Sequence, residues 1–295
     1  MGSEELYDKI LLRYGEIFLK GKNRNYFENI LVRNVKKLTG VEKVVRLRSR
    51  YIIDSFSNHN MIKRVFGLVS YSLALQVDKD LDSMKKGVEK IILNDNVFNN
   101  LGDKKIKFKV STKRSDKRFP IKSPDVNMKI GQFIESHFEH LEFSLKEFEI
   151  EINVEINQEA AYLFINKINC FGGLPSGVEG KVNLLCQDKS DLLAGLLMMR
   201  RGVSLDVLTL KDKLDISLLQ KFSPKPIDLV KISNISEINL DMLNGKNSVF
   251  VVGQNFNELT PLEKLEENKQ LIILRPLIAF SNEEIESRLK EFEDC

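Results

Sequence analysis

The stretch GGLPSGVEGKVNLLCQDKSD (residues 172–191) divides the chain and sets the class of its last third. Its first six residues, Gly172-Gly173-Leu174-Pro175-Ser176-Gly177, hold three glycines and a proline, the composition of a hinge. Residues 182–185 then form a short apolar run, and a polar turn follows at 186–191. Helical spacing of apolar residues sets in over 189–200. The alternation continues beyond it. Short apolar runs at 205–210, 227–232, 249–252 and 271–273 predict strands, and 214–221, 235–243 and 281–291 predict helices. Apolar strands separated by helices imply a parallel sheet covered on both faces.

Upstream, residues 8–14 (DKILLRY) read as a strand. Asn23 reads as the cap of a helix whose apolar face is Phe27, Ile30, Leu31, Val35 and Leu38. Gly40 is placed to end that helix in the left-handed conformation. Residues 44–56 alternate well enough for two strands, which closes a strand-helix-strand-strand unit. A second unit then begins with a short helix at 61–66, a strand at 68–76, a helix at 81–93 and a strand at 106–110. Residues 111–124 carry too much charge, and two prolines, for a regular element. A helix opened by Asp125 or Asn127 runs to about residue 141, and strands at 151–156 and 162–168 complete the unit. Boundaries near 60 and 172 give three domains: 1–60, 61–171 and 172–295.

The chain has 295 residues, 42% hydrophobic and 29% charged, too apolar for a disordered polymer. No apolar run approaches the ~20 residues that cross a bilayer, so no membrane partner is expected. Met1-Gly2-Ser3-Glu4-Glu5 lacks the basic-then-apolar pattern of a secretory signal. A reducing, cytoplasmic setting is expected. Cys170, Cys186 and Cys295, with His59, His137 and His140, make neither a disulfide framework nor a complete zinc ligand set. His137 and His140 stand three apart on one predicted helix. With no carboxylate or cysteine to join them, they read as surface or half-core residues, and no metal is expected.

The net charge of +3 conceals a division: residues 1–170 sum to +7 and residues 171–295 to −4. Within 104–118 (KKIKFKVSTKRSDKR) eight basic residues stand against one acid. Lys105, Lys107 and Lys109 alternate with apolar residues, the pattern of a half-buried strand whose open face is basic. Such a surface draws in phosphate backbones. The plainer reading is a solvated strand edge guarded by lysines.

Arg13-Tyr14-Gly15-Glu16-Ile17, then Lys20-Gly21-Lys22-Asn23-Arg24 and Phe27, resemble the opening of the tRNA 4-thiouridine synthase family. Its members are also called tRNA sulfurtransferases or thiamine-biosynthesis sulfur-transfer enzymes. Phe108-Lys109-Val110, Thr112-Lys113-Arg114, Asp116-Lys117 and Phe119-Pro120 are similar to that family's THUMP domain. So are Ser123, Asn127, Gly131 and Val154-Glu155-Ile156. Gly172-Gly173-Leu174-Pro175, Gly180-Lys181-Val182, Met198-Met199-Arg200-Arg201-Gly202-Val203 and Leu274-Arg275-Pro276-Leu277-Ile278 resemble its third domain. The resemblance implies an α/β chain with an N-terminal ferredoxin-like domain and a THUMP domain that binds the tRNA acceptor end. A truncated Rossmann-like, parallel-sheet domain of the PP-loop ATPase type follows. Family enzymes adenylate a tRNA uridine with ATP and replace the activated oxygen with persulfide sulfur. Some add a rhodanese-like domain, which this chain is expected to lack.

The resemblance puts the PP-loop, Ser-Gly-Gly, an apolar residue, then Asp-Ser, at Cys186, Gln187, Asp188, Lys189, Ser190 and Asp191. All six positions differ. Glycines let backbone N–H groups close around phosphates, and side chains at Gln187 and Asp188 fill that space. Asp188 also sets a negative charge beside phosphate, worth about 4 kcal/mol of repulsion at 4 Å and an effective dielectric of ~20. Asp188 or Ser190 is placed to cap the helix itself. A cysteine-bearing segment of catalytic members is also missing, and Gly253-Gln254-Asn255-Phe256-Asn257 departs from the family pattern. No catalytic residue, and no cofactor, is therefore expected. Cys186 reads as a buried filler; its functional reading is a sulfur acceptor activated by the helix N-terminus.

The expected function is tRNA binding with an inactive third domain acting as scaffold. Candidate RNA contacts are Lys20, Lys22, Arg24, Lys105, Lys107, Lys109, Lys113, Arg114, Lys117, Arg118 and Lys122. A homodimer, with Leu274, Pro276, Leu277 and Ile278 as contacts, and a partner enzyme or sulfur carrier complete the expectation. One alternative is an active sulfurtransferase using ATP and magnesium. Another is a THUMP adaptor for a different tRNA-modifying enzyme.

Overall fold

The computed structural model describes residues 6–47, 50–99, 105–234, 249–259 and 271–295. The expectations for Met1–Glu5, for Lys104 and for a helix at 235–243 concern residues outside these. Two compact units are present: 1–13, 45–59 and 71–168 make the first, and 14–44, 60–70 and 169–295 the second.

The first unit is built on a sheet ordered β2-β3-β1-β4-β8-β7-β5-β6, with β9 pairing β4. In chain order the strands are β1 (Lys9–Tyr14), β2 (Val45–Leu47), β3 (Arg50–Asp54), β4 (Leu68–Val77), β5 (Ile106–Arg114), β6 (Leu141–Phe143), β7 (Ile150–Ile156), β8 (Ala161–Phe164) and β9 (Ile168–Asn169). Strict alternation in β7, IEINVEI, buries Ile150, Ile152, Val154 and Ile156 and sets Glu151 and Glu155 on the other face. These residues join Phe108 and Val110 of β5 in one core. Two helices supply the rest: Leu81–Asn94 through Met84, Val88 and Ile91, and Ser123–His137 through Val126, Ile130 and Ile134.

The second unit carries helix α1 (Arg24–Thr39), and the helices just named are α2 (Leu81–Asn94) and α3 (Ser123–His137). Its parallel sheet runs β12-β11-β10-β13-β14. The strands are β10 (Lys181–Leu185), β11 (Ser204–Thr209), β12 (Leu229–Lys231), β13 (Val249–Val251) and β14 (Ile272–Leu274). Helices α4 (Lys189–Arg200), α5 (Ser217–Phe222) and α6 (Asn282–Glu293) accompany it. Leu184, Leu193, Leu196, Val207, Phe222 and Leu289 meet in its core. Strand order reverses between β10 and β13, and that crevice is where open α/β sheets take ligands.

Three expectations are corrected. Residues 111–124 are not irregular throughout: β5 runs on to Arg114, held in register along β7, and α3 starts at Ser123 with proline in its first turn. Asn23 makes no side-chain cap, because a 3-10 segment (Glu16–Asn23) runs straight into α1. The strand expected at 162–168 breaks into β8 and β9. Gly40 does close α1 in the left-handed conformation, at φ 76°.

Candidate functional site

The turn at 186–191 lies at the strand-order reversal, and its amides are occupied from within the chain. Asp188 is the extended N-cap of α4; its Oδ1 accepts from the N–H of Ser190 (2.9 Å) and of Asp191 (3.3 Å). Asp191 completes a capping box. Its Oδ2 accepts from the N–H of Gln187 (2.8 Å) and Asp188 (3.2 Å), and its Oδ1 from the N–H of Gly253 (2.5 Å). Gly253 follows β13, the neighbour of β10, so this carboxylate bridges the ends of two adjacent strands. A Cβ on Gly253 would stand 2.4 Å from the Asp191 nitrogen, so only glycine permits the approach. Burial pushes the Asp191 carboxyl above the usual range, against the pull of the three N–H groups.

Asp188 caps the helix as the sequence suggests, but the carboxylate that fills the nest is Asp191. Gln187 turns aside, its Oε1 accepting from Leu210 N–H at 3.3 Å. Lys189 is exposed. A triphosphate held as the resemblance implies needs the amides that Asp188 and Asp191 already use. The residues present therefore do not fit ATP phosphates in this arrangement.

Cys186 is fully buried at the end of β10, and burial pushes its thiol up to about 12. Burial is the first cause, and the nearby Asp191 and Asp188 raise the thiol further, which favours the buried filler over the activated sulfur acceptor. Cys170 is raised to about 12 by burial as well. His137 is exposed, with Nδ1 near the Phe133 carbonyl at 2.8 Å. Among the described residues no group of three His, Cys, Asp or Glu is placed to hold a metal.

The eleven basic candidates separate by what they touch. Lys107 pairs with Glu147 and Lys109 with Glu151, each at 3.0 Å, and Lys109 also lies over the Phe148 ring. Arg114 donates to the carbonyls of Phe119 (2.7 Å) and Ile121 (3.0 Å), so it ties down the 115–122 loop. Arg118 is held by Asp116 at 3.0 Å, and Arg24 by Glu28 at 2.7 Å. Lys20 faces Glu179 at 3.5 Å and the Phe27 ring. Lys22, Lys105, Lys113, Lys117 and Lys122 are exposed.

Arg13 and Arg50 were not among these candidates. Both converge on Glu155, Arg13 at 3.6 Å, and Arg13 also donates to Ser72 and lies over the Phe164 ring. Arg50 and Glu155, with Leu11, Ile52, Lys113 and Tyr162, line a cavity of about 390 Å³ in the first unit. Burial lowers both guanidinium groups to about 10, still charged at neutral pH. Burial first, then Arg50 and Arg13, lowers the Lys113 ammonium. Its lining sets basic Arg46, Arg50 and Lys113 against acidic Glu155 and Glu159, among apolar, hydroxyl and amide side chains. Arg13 within KILLRY and Arg50 opening RYIID, charges set against apolar strand runs, were the available signal.

Residues 9–72 match the ThiI ferredoxin-like domain and residues 78–166 the THUMP domain. Probable tRNA sulfurtransferases of Brevibacillus brevis and Thermococcus kodakarensis are each 36% identical, over 68% and 67% of this chain. That of Mycoplasmopsis agalactiae is 30% identical over 86% of it. The chain spans about half the length of the first two relatives, 51% and 54%, and 62% of the third. Among solved structures, the PH1313 protein of Pyrococcus horikoshii Ot3 aligns over 97% of this chain and 99% of its own, with TM-score 0.83 and 28% identity. A 4-thiouridine synthetase–RNA complex with bound ATP aligns over 97% and 85%, with TM-score 0.82 and 25% identity. With its ferredoxin-like domain, THUMP domain and parallel PP-loop-like sheet, the chain belongs to the ThiI-like tRNA sulfurtransferase family.

Proposed function

We propose that this chain binds tRNA and acts in its thiolation as a tRNA sulfurtransferase that makes 4-thiouridine with sulfur from a partner carrier. The observation that carries the reading is the alignment over 97% of the chain with a 4-thiouridine synthetase caught with RNA and ATP. Relatives named as tRNA sulfurtransferases at 36% identity support it. In this reading the three domains are 1–60, 61–171 and 172–295, and two copies of the chain work together. Exposed Lys105, Lys113, Lys117 and Lys122 of the first unit, and Lys22 of the second, meet phosphates and set orientation rather than reading bases.

A second reading is favoured by one observation: the Asp191 carboxylate in the amide nest. There the third domain is a scaffold, and the chain supplies tRNA recognition to a partner enzyme that makes a different tRNA modification. Nucleoside mass analysis of tRNA from cells lacking the gene separates the two. Loss of 4-thiouridine, restored by the chain but not by a variant unable to bind tRNA, supports thiolation. Loss of a different modified nucleoside supports the adaptor, and an unchanged nucleoside profile overturns both.

A further inference from the structure

The capping box explains why Asp191 reaches back to the N–H of Asp188, but not why its other oxygen meets Gly253. Gly253 belongs to another strand end, 62 positions along the chain. Its amide, together with those of Gln187 and Asp188, forms a three-donor concavity of the kind that holds anions. The concavity sits at the strand-order reversal, where a ligand would be expected. Its occupant is 7% exposed, and Gly253 is pressed on it so closely that no side chain fits between. Ordinary helix capping is already performed by Asp188.

We propose that Asp191 is a built-in anion that fills this nest and excludes phosphate groups from it while seated. Under the sulfurtransferase reading, Asp191 must leave before a nucleotide's phosphates use these amides; under the scaffold reading it stays. The inference therefore stands apart from whether the chain thiolates tRNA. Replacing Asp191 with serine removes the carboxylate, and one hydroxyl cannot satisfy three converging donors. The freed amides then accept an external anion.

The test is calorimetry of inorganic pyrophosphate binding to the full chain, paired with hydrogen exchange at the Gly253 amide. Wild type without tRNA is expected to show no saturable binding at millimolar pyrophosphate and a protected Gly253 amide. Asp191→Ser should give saturable pyrophosphate binding at millimolar ligand, because three amide donors are released together. Its Gly253 amide should exchange fast and regain protection when pyrophosphate is added. Circular dichroism and melting check that the variant folds, and Asp191→Ala, which leaves no acceptor in the nest, replaces it if it does not. Wild-type binding as tight as that of the variant overturns the proposal. So does a folded variant that gains no affinity or keeps its Gly253 amide protected.

Discussion

Arg50 and Glu155 form an ion pair beside the cavity of the first unit, and Arg13 approaches the other oxygen of the same carboxylate. One acid thus holds two buried bases. Removing the acid leaves two like charges facing each other in a poorly solvated place.

Glu155→Gln is expected to destabilise the fold by about 3–5 kcal/mol, the cost of stripping the partner from a buried charge. Urea unfolding checks this through the midpoint. A loss below about 1 kcal/mol would match an exposed pair and remove the argument for a buried ion-pair cluster.

The basic residues should divide by role. Lys113→Ala, Lys117→Ala and Lys122→Ala should leave stability within about 0.5 kcal/mol of wild type. Each that meets a phosphate should reduce the slope of log binding constant against log salt by about 0.7–0.9. Arg114→Ala should instead lower the melting temperature, because its two carbonyl contacts hold the 115–122 loop. Anisotropy titrations with tRNA at several salt concentrations, run beside thermal melts, distinguish the two classes.

Gly253→Ala is expected to cost about 1–3 kcal/mol through overpacking, since its Cβ meets backbone of the α4 turn. A neutral outcome in denaturant titration would mean that the strand end and the turn separate easily.

Asp116 gives a pH dependence. Hydrogen bonds from Arg118 and Lys79 hold its carboxyl well below the usual carboxylate range. A carboxyl depressed in the folded state contributes stability above its unfolded value near ~4, and loses it as pH falls through the folded value. Asp116→Asn should therefore lower the melting temperature at neutral pH and flatten its decline below about pH 4. An unchanged acid limb would show that Asp116 carries none of that dependence.

Strong periodicity made most elements legible. The alternation of β7 and the apolar stripe of α2 could be read without a structure, and the hinge glycines marked where parallel strands begin. The 111–124 segment misled because charge density argues against regular structure only when no neighbour supplies a ladder, and β7 supplies one as far as Arg114. The candidate site was half legible. A lost glycine turn can be seen in the sequence, but the choice of Asp191 over Asp188 as the filling group depends on Gly253, brought close by strand pairing alone. Likewise, the pairing of Lys107, Lys109 and Arg118 with Glu147, Glu151 and Asp116 could not be read from spacing alone.

The most direct measurement of the central claim is a reconstituted thiolation assay on purified chain, unmodified tRNA, ATP, magnesium and a persulfide donor, read by nucleoside mass analysis. The account predicts 4-thiouridine that rises with enzyme and is lost when Lys113, Lys117 and Lys122 are replaced together by alanine. No 4-thiouridine above background, with tRNA binding intact, would contradict the sulfurtransferase reading and leave the chain as a tRNA-binding subunit.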